Sequence, residues 1–351
     1  MSPTESTNAS AAGGVTPDSA ARQSSAPPAD GAASRSLTRK RRHGPAWHRV
    51  AEVAVRVMAA SAVVSIVLIF AFVLREAVPI FWEQSDVRLV DLVSPRQWAN
   101  YDAPMFIWQP VGGVAKMNIV PLFLGTLKVT LLSLLFAVPL AIGAAIFVSQ
   151  FARRRVREIV KPAVELLAGI PSVVLGFFAL MILATWVQDA FGLAYRLNAL
   201  VAAMGLSLAV IPVIFTISED ALDAVPRQLK EASLALGARK WQTTLRVVLP
   251  AALPGIAAAV ILGFGRAIGE TMVVLMASGN AAVMAPFNPT SSARTVTATI
   301  ASELGEVSQG DVHWRVLFLL GALLFTVTFV LNRIGVAIVA RLHRKLTATT
   351  R

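Results

Sequence analysis

The chain has 351 residues, of which 56% are hydrophobic and only 15% are charged. Soluble domains are about 25% charged, so this sequence has too few charges to give a soluble chain a polar surface. The composition argues against a soluble enzyme and favours a polytopic membrane protein. In such a protein the net charge of +12 indicates basic cytoplasmic loops rather than nucleic-acid binding. The sequence contains no cysteine, which excludes disulfides, thiolate nucleophiles and cysteine metal sites.

Residues 1–45 are rich in Ser, Ala, Pro, Thr and Gly and show no apolar periodicity. Such a segment buries too little surface to offset its ordering entropy. We therefore predict a disordered cytoplasmic tail that ends in the basic cluster at residues 39–42. The tail is long, and the apolar stretch after it is long enough to cross a bilayer, so we do not expect a cleaved signal peptide.

Six long apolar segments follow the tail, and each is close to the ~20 residues that a helix needs to cross the hydrocarbon core. They are continuous and do not alternate with polar residues, which favours helices over barrel strands. The segments lie at residues 58–74, 122–148, 166–187, 197–218, 255–277 and 316–331. We therefore predict an all-α polytopic membrane protein whose transmembrane domain covers residues 50–345.

Lysine and arginine are distributed unequally among the segments that flank and connect these six helices. The tail through Val50, the second and fourth connections and the C-terminal end together carry 21 of them, whereas the first, third and fifth connections carry six. The positive-inside rule then predicts that both termini are cytoplasmic. Four tryptophans fall on or near the outer face, where amphipathic rings are common: Trp82, Trp98, Trp108 and Trp314.

The loop at residues 218–250, between the fourth and fifth helices, has the pattern of a helical hairpin. Pro226 suits the first turn of a helix, and Gly237 suits a left-handed helix end. A second short helix from Arg239 to Val248 is expected to stop before Pro250. The hairpin should expose several apolar side chains beside basic ones: Leu229, Leu234, Leu236 and Trp241. From these residues alone, a knob that docks into a partner and an ordinary interfacial hairpin both remain open.

The spacing in this loop resembles the EAA loop of ABC-importer permeases, which is Glu-Ala-Ala, three residues, Gly, nine residues, Ile-x-Leu-Pro. The chain departs from that pattern mildly, with Ser233 for the second Ala and Val247 for Ile. The resemblance implies that the ATP-hydrolysing subunit holds this loop as a coupling element. The implied coupling residues are Glu231, Ala232, Gly237, Leu249 and Pro250. The sequence has no Walker A loop, so ATP must be hydrolysed by another chain.

Arg266 and Glu270 interrupt the fifth apolar segment near its middle. A charge there costs at least ~2.5–3.5 kcal/mol on insertion scales, so it should face a cavity or a partner. The spacing of four residues predicts that both side chains lie on one helix face. Two interpretations remain open from these residues: a substrate contact, or a neutral ion pair that anchors packing beside the small residues Gly265 and Gly269.

Residues 265–271, Gly-Arg-Ala-Ile-Gly-Glu-Thr, resemble a signature of phosphate-importer permeases of the PstC and PstA type, and residues 169–176 resemble their Ile-Pro-Ser motif. Six helices and a sizeable outer loop after the first favour the PstC type. The resemblance implies that Arg266 and Glu270 lie on the path of inorganic phosphate. It also implies a second, homologous permease of the PstA type, two ATP-binding subunits and an extracytoplasmic phosphate-binding protein.

We therefore expect a multi-pass, lipid-embedded permease in the inner or plasma membrane of a bacterium, which is a transport subunit and not an enzyme. A permease for another oxyanion, sulfate or molybdate, is the alternative. An intramembrane hydrolase is a remote one, because Ser207 has no accompanying membrane histidine. No cofactor or metal is expected. Lys128 should snorkel to the interface, and Pro139 and Pro171 should kink their helices.

Overall fold

The structure is a computed structural model that describes residues 46–82, 89–98, 102–112, 114–282 and 284–348. The predicted tail at residues 1–45 lies outside the described residues. The chain divides into two compact units, Met1–Ala59 and Ala60–Arg351. In the first unit, Arg56 pairs with Glu52 one helical turn away at 2.6 Å. The core and the candidate sites described below all belong to the second unit.

The described part of the chain contains thirteen α-helices and one pair of short strands. The helices are α1 (Ala46–Ala77), α2 (Leu89–Val93), α3 (Val120–Ile146), α4 (Arg154–Ala168), α5 (Ser172–Phe178), α6 (Ala184–Phe191), α7 (Ala199–Asp223), α8 (Arg227–Ala235), α9 (Lys240–Thr243), α10 (Leu249–Gly269), α11 (Met272–Ala277), α12 (Val296–Glu303) and α13 (Val312–Ala348). The strands β1 (Trp108–Gln109) and β2 (Lys116–Met117) pair antiparallel, with Trp108 opposite Met117.

Six helical stretches within the described residues are long and apolar enough to cross a membrane, which confirms the predicted number. Two of them, the third and the fifth, join two α-helices through a π-helical turn. We call them spans one to six: Val50–Phe81, Val120–Phe151, Ser172–Phe191, Ala199–Asp223, Lys240–Gly269 and Val312–Arg341. The predicted all-α polytopic fold is therefore confirmed.

Span four, which is helix α7, lies at the centre of the main core. It is apolar on every side, as expected of a helix enclosed by others, and its largest fully buried side chain is Phe215. Spans two and five pack against it. Two glycines of α10 allow this close approach: a Cβ on Gly263 would lie 2.6 Å from Ile214, and one on Gly255 would collide with Ala221. Glycine therefore sets the distance between spans four and five.

The third span begins later than predicted. Helix α4 ends at Ala168, the chain is extended at Pro171 (ψ 139°), and α5 starts at Ser172. Pro171 disfavours a helical conformation for the residue before it and lacks an N–H to donate. The predicted kink at Pro171 is therefore a complete break. The basic connection before it is largely the separate amphipathic helix α4.

The start of the fifth span also differs from the prediction. The second helix of the hairpin does not stop before Pro250: helix α9 continues through a π-helical turn, Thr244–Val248, directly into α10. Pro250 falls in the first turn of α10. A π-helical turn shifts the hydrogen-bond register, which lets a helix continue around a proline. The hairpin and span five are consequently one continuous helical segment.

The structure contradicts the prediction for Lys128. Lys128 does not snorkel: it is 7% exposed, and its Nζ donates to the carbonyl oxygens of Ala285 and Asn288 at 3.0 and 3.1 Å and to Ser291 Oγ at 2.8 Å. It therefore fixes the loop after α11 to span two. Trp108, which is predicted to lie on or near the outer face, is buried, and its indole Nε1 donates to the Glu303 carboxylate at 3.1 Å.

Candidate functional site

A break in the fifth transmembrane segment separates the two charged residues that the sequence placed together. Helix α10 ends at Gly269, Glu270 is extended with ψ 133°, and α11 begins at Met272. The prediction that Arg266 and Glu270 share one helix face is therefore wrong, because the helix does not continue between them. Non-helical backbone at membrane depth is tolerated only inside protein or beside a water-filled cavity.

Arg266 is exposed on α10, and among the described residues it forms no ion pair or hydrogen bond. Glu270 is half-buried, and its carboxylate accepts a hydrogen bond from the Thr271 N–H at 3.2 Å instead. The neutral ion pair that was the structural alternative is therefore not formed in this conformation. An unpaired guanidinium in an apolar span needs water, a ligand or another chain beside it.

The helix face that carries Arg266 is open. A Cβ on Gly269 would meet nothing within 4 Å, and one on Gly265 would be 3.5 Å from the side chain of Asn332, an ordinary contact. Among the described residues, therefore, Gly269 does not pack against another element, and Gly265 makes only an ordinary contact with α13. Gly255 and Gly263 are the packing glycines of α10, and they face span four.

Threonine side chains hold the start of α12 and connect it to the break. Thr297 Oγ1 donates to the Glu270 carbonyl oxygen at 2.9 Å, and Thr126 Oγ1 of span two accepts from the Val296 N–H at 3.1 Å. Thr295 caps α12 by accepting from the Ala298 N–H at 3.3 Å. Sequence analysis missed these residues, although a threonine before an apolar helical run is a recognisable N-cap signal.

The hairpin formed by α8 and α9, residues 227–243, agrees with the prediction for the turn. Gly237 has φ +84°, a left-handed conformation that glycine adopts without strain. Its N–H donates to the Leu234 carbonyl oxygen at 3.0 Å, and the Ala238 N–H donates to that of Ser233 at 3.3 Å. These bonds satisfy carbonyl groups at the end of α8.

The apolar side chains expected on the hairpin surface are exposed, and Leu236 reaches 90%. Glu231, Ala232, Gly237 and Pro250 are exposed as well, whereas Leu249 is half-buried against the main core. The five predicted coupling residues therefore divide into four on the surface and one that anchors the base of the hairpin. Every exposed one is accessible to another chain.

Two hydrogen bonds that the sequence did not reveal stiffen the hairpin. Ser233 Oγ and Thr243 Oγ1 lie 3.0 Å apart and join α8 to α9. The Arg239 N–H donates to Gln242 Oε1 at 2.8 Å, which caps the start of α9. Ser233 is one of the two residues that depart from the EAA pattern, and its hydroxyl is bonded to Thr243 here.

An ion network joins α4 to the end of α7. Glu219 has a side chain that is 0% exposed, and its two oxygens accept from Arg157 at 2.6 Å and from Lys161 at 2.7 Å. Asp223, one turn further along α7, pairs with Arg157 and accepts from Ser149 Oγ at 2.6 Å. The hydrogen bond to Asp223 raises the pKa of Arg157, and the hydrogen bond to Glu219 raises the pKa of Lys161.

A second cluster surrounds Glu303 at the opposite end of the spans. Its carboxylate accepts from Trp108 Nε1 at 3.1 Å, lies 2.9 Å from His313 Nε2 and pairs with Arg294. These four residues line a cavity of about 820 Å³ together with Glu306. Within the described residues no group of His, Cys, Asp or Glu is arranged to hold a metal ion.

The structure thus combines six spans with a break in the fifth segment and a charged side chain, Arg266, that has no partner among the described residues. The family of binding-protein-dependent transport system inner membrane components matches residues 137–347, more than half of the chain. The chain belongs to this family. It is therefore a multi-pass inner-membrane permease, a transport subunit rather than an enzyme, and the predicted ABC-importer permease family is confirmed.

Several relatives are similar over most of their length. The probable ABC transporter permease protein YqgH of Bacillus subtilis is 37% identical over 69% of this chain and 76% of its own. The phosphate transport system permease protein PstC of Mesorhizobium japonicum is 36% identical, with coverage of 65% and 74%. PstC 1 of Mycobacterium tuberculosis is 34% identical, with coverage of 67% and 75%. Among solved structures, an inward-facing MetNI methionine ABC transporter aligns with 64% of this chain and 94% of its own, at 20% identity and a TM-score of 0.49.

Proposed function

We propose that the chain is the PstC-type permease subunit of an ATP-driven importer of inorganic phosphate, and that Arg266 contacts phosphate during passage. The observation that carries the proposal is the unpaired Arg266 on an open helix face, four residues before a break in the span. The PstC relatives are phosphate transport system permeases, which supports phosphate as the substrate.

The chemistry of Arg266 and Glu270 suits transient contact with phosphate rather than tight binding. A guanidinium stays charged when desolvated and presents a planar fork to phosphate oxygens. Glu270 is close in sequence but bonded to its own neighbour Thr271, which leaves the Arg266 fork available. After phosphate leaves, a rearrangement of the break would let the Glu270 carboxylate neutralise the Arg266 guanidinium. Such competition would keep phosphate binding weak enough for release.

The open face of α10 requires a second surface to complete a path. We propose that a homologous permease of the PstA type supplies it, since Arg266 has no hydrogen-bond or ion-pair partner among the described residues and a Cβ on Gly269 would meet nothing within 4 Å. On the outer side, an extracytoplasmic phosphate-binding protein delivers the substrate. The transmembrane domain is assigned to residues 50–345, with both termini cytoplasmic as the Lys and Arg distribution predicts.

The hairpin is proposed as the coupling element that one of the two ATP-binding subunits holds. Its exposed Leu229, Leu234, Leu236 and Trp241 form an apolar surface, and a rigid helical knob of this kind fits a groove on a partner. Because the hairpin continues without interruption into α10, any displacement of it acts directly on the helix that carries Arg266.

The direct test is uptake of radiolabelled phosphate by cells with and without this chain, in competition with unlabelled sulfate, molybdate or arsenate. We expect uptake to require the chain, arsenate to compete because it has phosphate geometry, and sulfate and molybdate to compete poorly. Competition by sulfate or molybdate equal to that of unlabelled phosphate would favour the alternative, a permease for another oxyanion. Uptake that does not depend on the chain would refute the proposal.

A further inference from the structure

Besides the direct connection through α10, a second route of contacts connects the hairpin to the break. It passes through charged residues that have no role in the proposed phosphate path. The route begins at α7, which ends at Asp223; three residues separate this end from the start of α8. Leu222 and Val225 at this junction are buried. The side chains around the connection are therefore packed, and α8 cannot move freely with respect to the end of α7.

From the end of α7 the ion network reaches α4. Glu219 binds Arg157 and Lys161, which lie one turn apart on α4, and Asp223 binds Arg157 again. A fully buried carboxylate is retained at low cost only while its partners stay in place, because an unpaired buried charge is strongly unfavourable. Glu219 consequently resists any separation of α4 from α7.

From α4 the route continues to the far side of the break. Helix α4 is capped at Gly169 and passes through Pro171 into α5. At Gly176 of α5 the contact with α11 is close: a Cβ there would lie 3.1 Å from the Met272 carbonyl oxygen and 3.2 Å from Val273 Cα. Helix α11 begins directly after Glu270 and Thr271. A displacement of α5 therefore acts on the C-terminal side of the break, while α10 acts on its N-terminal side.

We infer that Glu219, with Arg157, Lys161 and Asp223, is a clamp of positioning residues that makes α4 move with the hairpin, so that both sides of the break respond together to the ATP-binding subunits. This inference rests on the coupling role proposed for the hairpin. The clamp touches neither phosphate nor ATP; it acts through α5 and α11 on the geometry around Arg266.

The test uses the assembled transporter and two exposed positions, Glu165 on α4 and Ala235 on α8, replaced by cysteine and spin-labelled. The natural chain contains no cysteine, so these labels would be its only ones. We expect the distance between the labels to be the same in the nucleotide-free and vanadate-trapped states. With Glu219→Gln added, the distance should change between the two states. A change without Glu219→Gln, or no change with it, would overturn the inference.

Transport provides the second readout. In Glu219→Gln we expect phosphate carried per ATP hydrolysed to fall roughly fivefold or more, the lower end of typical coupling effects, while the ATP-binding subunits still co-purify. Glu158→Gln is the matched control, because Glu158 is also on α4 but its pair with Arg154 is exposed. An unchanged ratio in Glu219→Gln, or an equal loss in Glu158→Gln, would contradict the clamp.

A further pair of variants guards against a simple folding defect. In Lys161→Gln, Arg157 still pairs with the Glu219 carboxylate. The Lys161 side chain is 33% exposed, so the complex should still assemble. We expect it to lower the transport ratio, and Lys161→Arg, which keeps the charge, to restore it. Equal ratios for the two variants would overturn the clamp. The label distances do not depend on the substrate, so failure of phosphate uptake by the unaltered complex would refute the proposed function alone.

Discussion

Two charged groups inside this membrane protein show opposite solutions to the same physical problem. Glu219 is completely buried and both of its oxygens are bonded to cations. Arg266 lies on an open face with no partner among the described residues. A buried charge must be paired, whereas an unpaired one in a span indicates water, a ligand or another chain. The contrast separates a residue that holds the structure together from one that is available to a substrate.

Arg266→Lys should give the largest effect on transport, because it keeps the charge but loses the planar fork. We expect phosphate uptake per assembled complex to fall by about 10- to 100-fold, in line with the loss of charge-assisted hydrogen bonds. Assembly and thermal stability should not change. Arg154→Lys, an exposed arginine on α4, is the control and should transport normally. Normal uptake by Arg266→Lys would mean that the fork is not needed.

Glu219→Ala should give the opposite profile, with a large loss of stability. Removing one partner of a buried ion pair leaves the others uncompensated and costs about 3 kcal/mol or more. Thermal unfolding of the purified complex in detergent measures this loss. Glu158→Ala removes an exposed pair and should cost less than about 0.5 kcal/mol. A similar small loss in both variants would contradict the structural role assigned to Glu219.

Gly237→Val should have an intermediate effect confined to the hairpin. A β-branched residue at φ +84° is strained by about 1–2 kcal/mol, so the turn between α8 and α9 should distort. We expect weaker co-purification of the ATP-binding subunit with an otherwise inserted chain. Gly305→Val, where a Cβ also has open space but φ is not left-handed, is the control. Normal co-purification and normal phosphate-stimulated ATP hydrolysis would exclude the hairpin as the coupling element.

The contribution of Lys161 to the stability of the complex, and its dependence on pH, should give the smallest effect. Its pKa is raised above the ordinary 10.5 by the bond to Glu219, so the protonated form is favoured by folding. The stability that this provides is fully present below the unfolded pKa and is lost only as pH rises through the higher folded one. Lys161→Gln should therefore destabilise the complex by about 1 kcal/mol, equally at pH 7 and pH 9. If the unaltered complex and Lys161→Gln were equally stable at pH 9, the raised pKa of Lys161 would be contradicted.

The six spans and the turn at Gly237 were predictable because they depend on local properties, namely the length of apolar runs and the backbone freedom of glycine. The break after Gly269 was not, because residues 265–271 contain no proline and fit a helical pattern. Contacts with Thr297, which is distant in sequence, help to hold it. Helix α4 could have been found, since Arg157, Val160, Lys161 and Val164 recur at helical spacing.

The Glu219 clamp could not be predicted for the same reason as the break. Its partners lie 58 and 62 residues away, and acidic residues at the end of an apolar run resemble an ordinary helix terminus. Arg266, in contrast, was noticed because a charge in an apolar run is unusual in itself. The sequence therefore identifies Arg266 as a candidate, but only the structure shows that it does not pair with Glu270.

The most direct measurement is phosphate uptake by the Arg266→Leu/Glu270→Leu double variant, normalised to the amount of assembled complex. If the two residues only balanced each other, replacing both with apolar side chains would be harmless, because two desolvation costs would disappear. The open, unpaired Arg266 predicts that the complex assembles normally and that uptake is abolished. Full uptake by the double variant would contradict the role of Arg266 in the phosphate path.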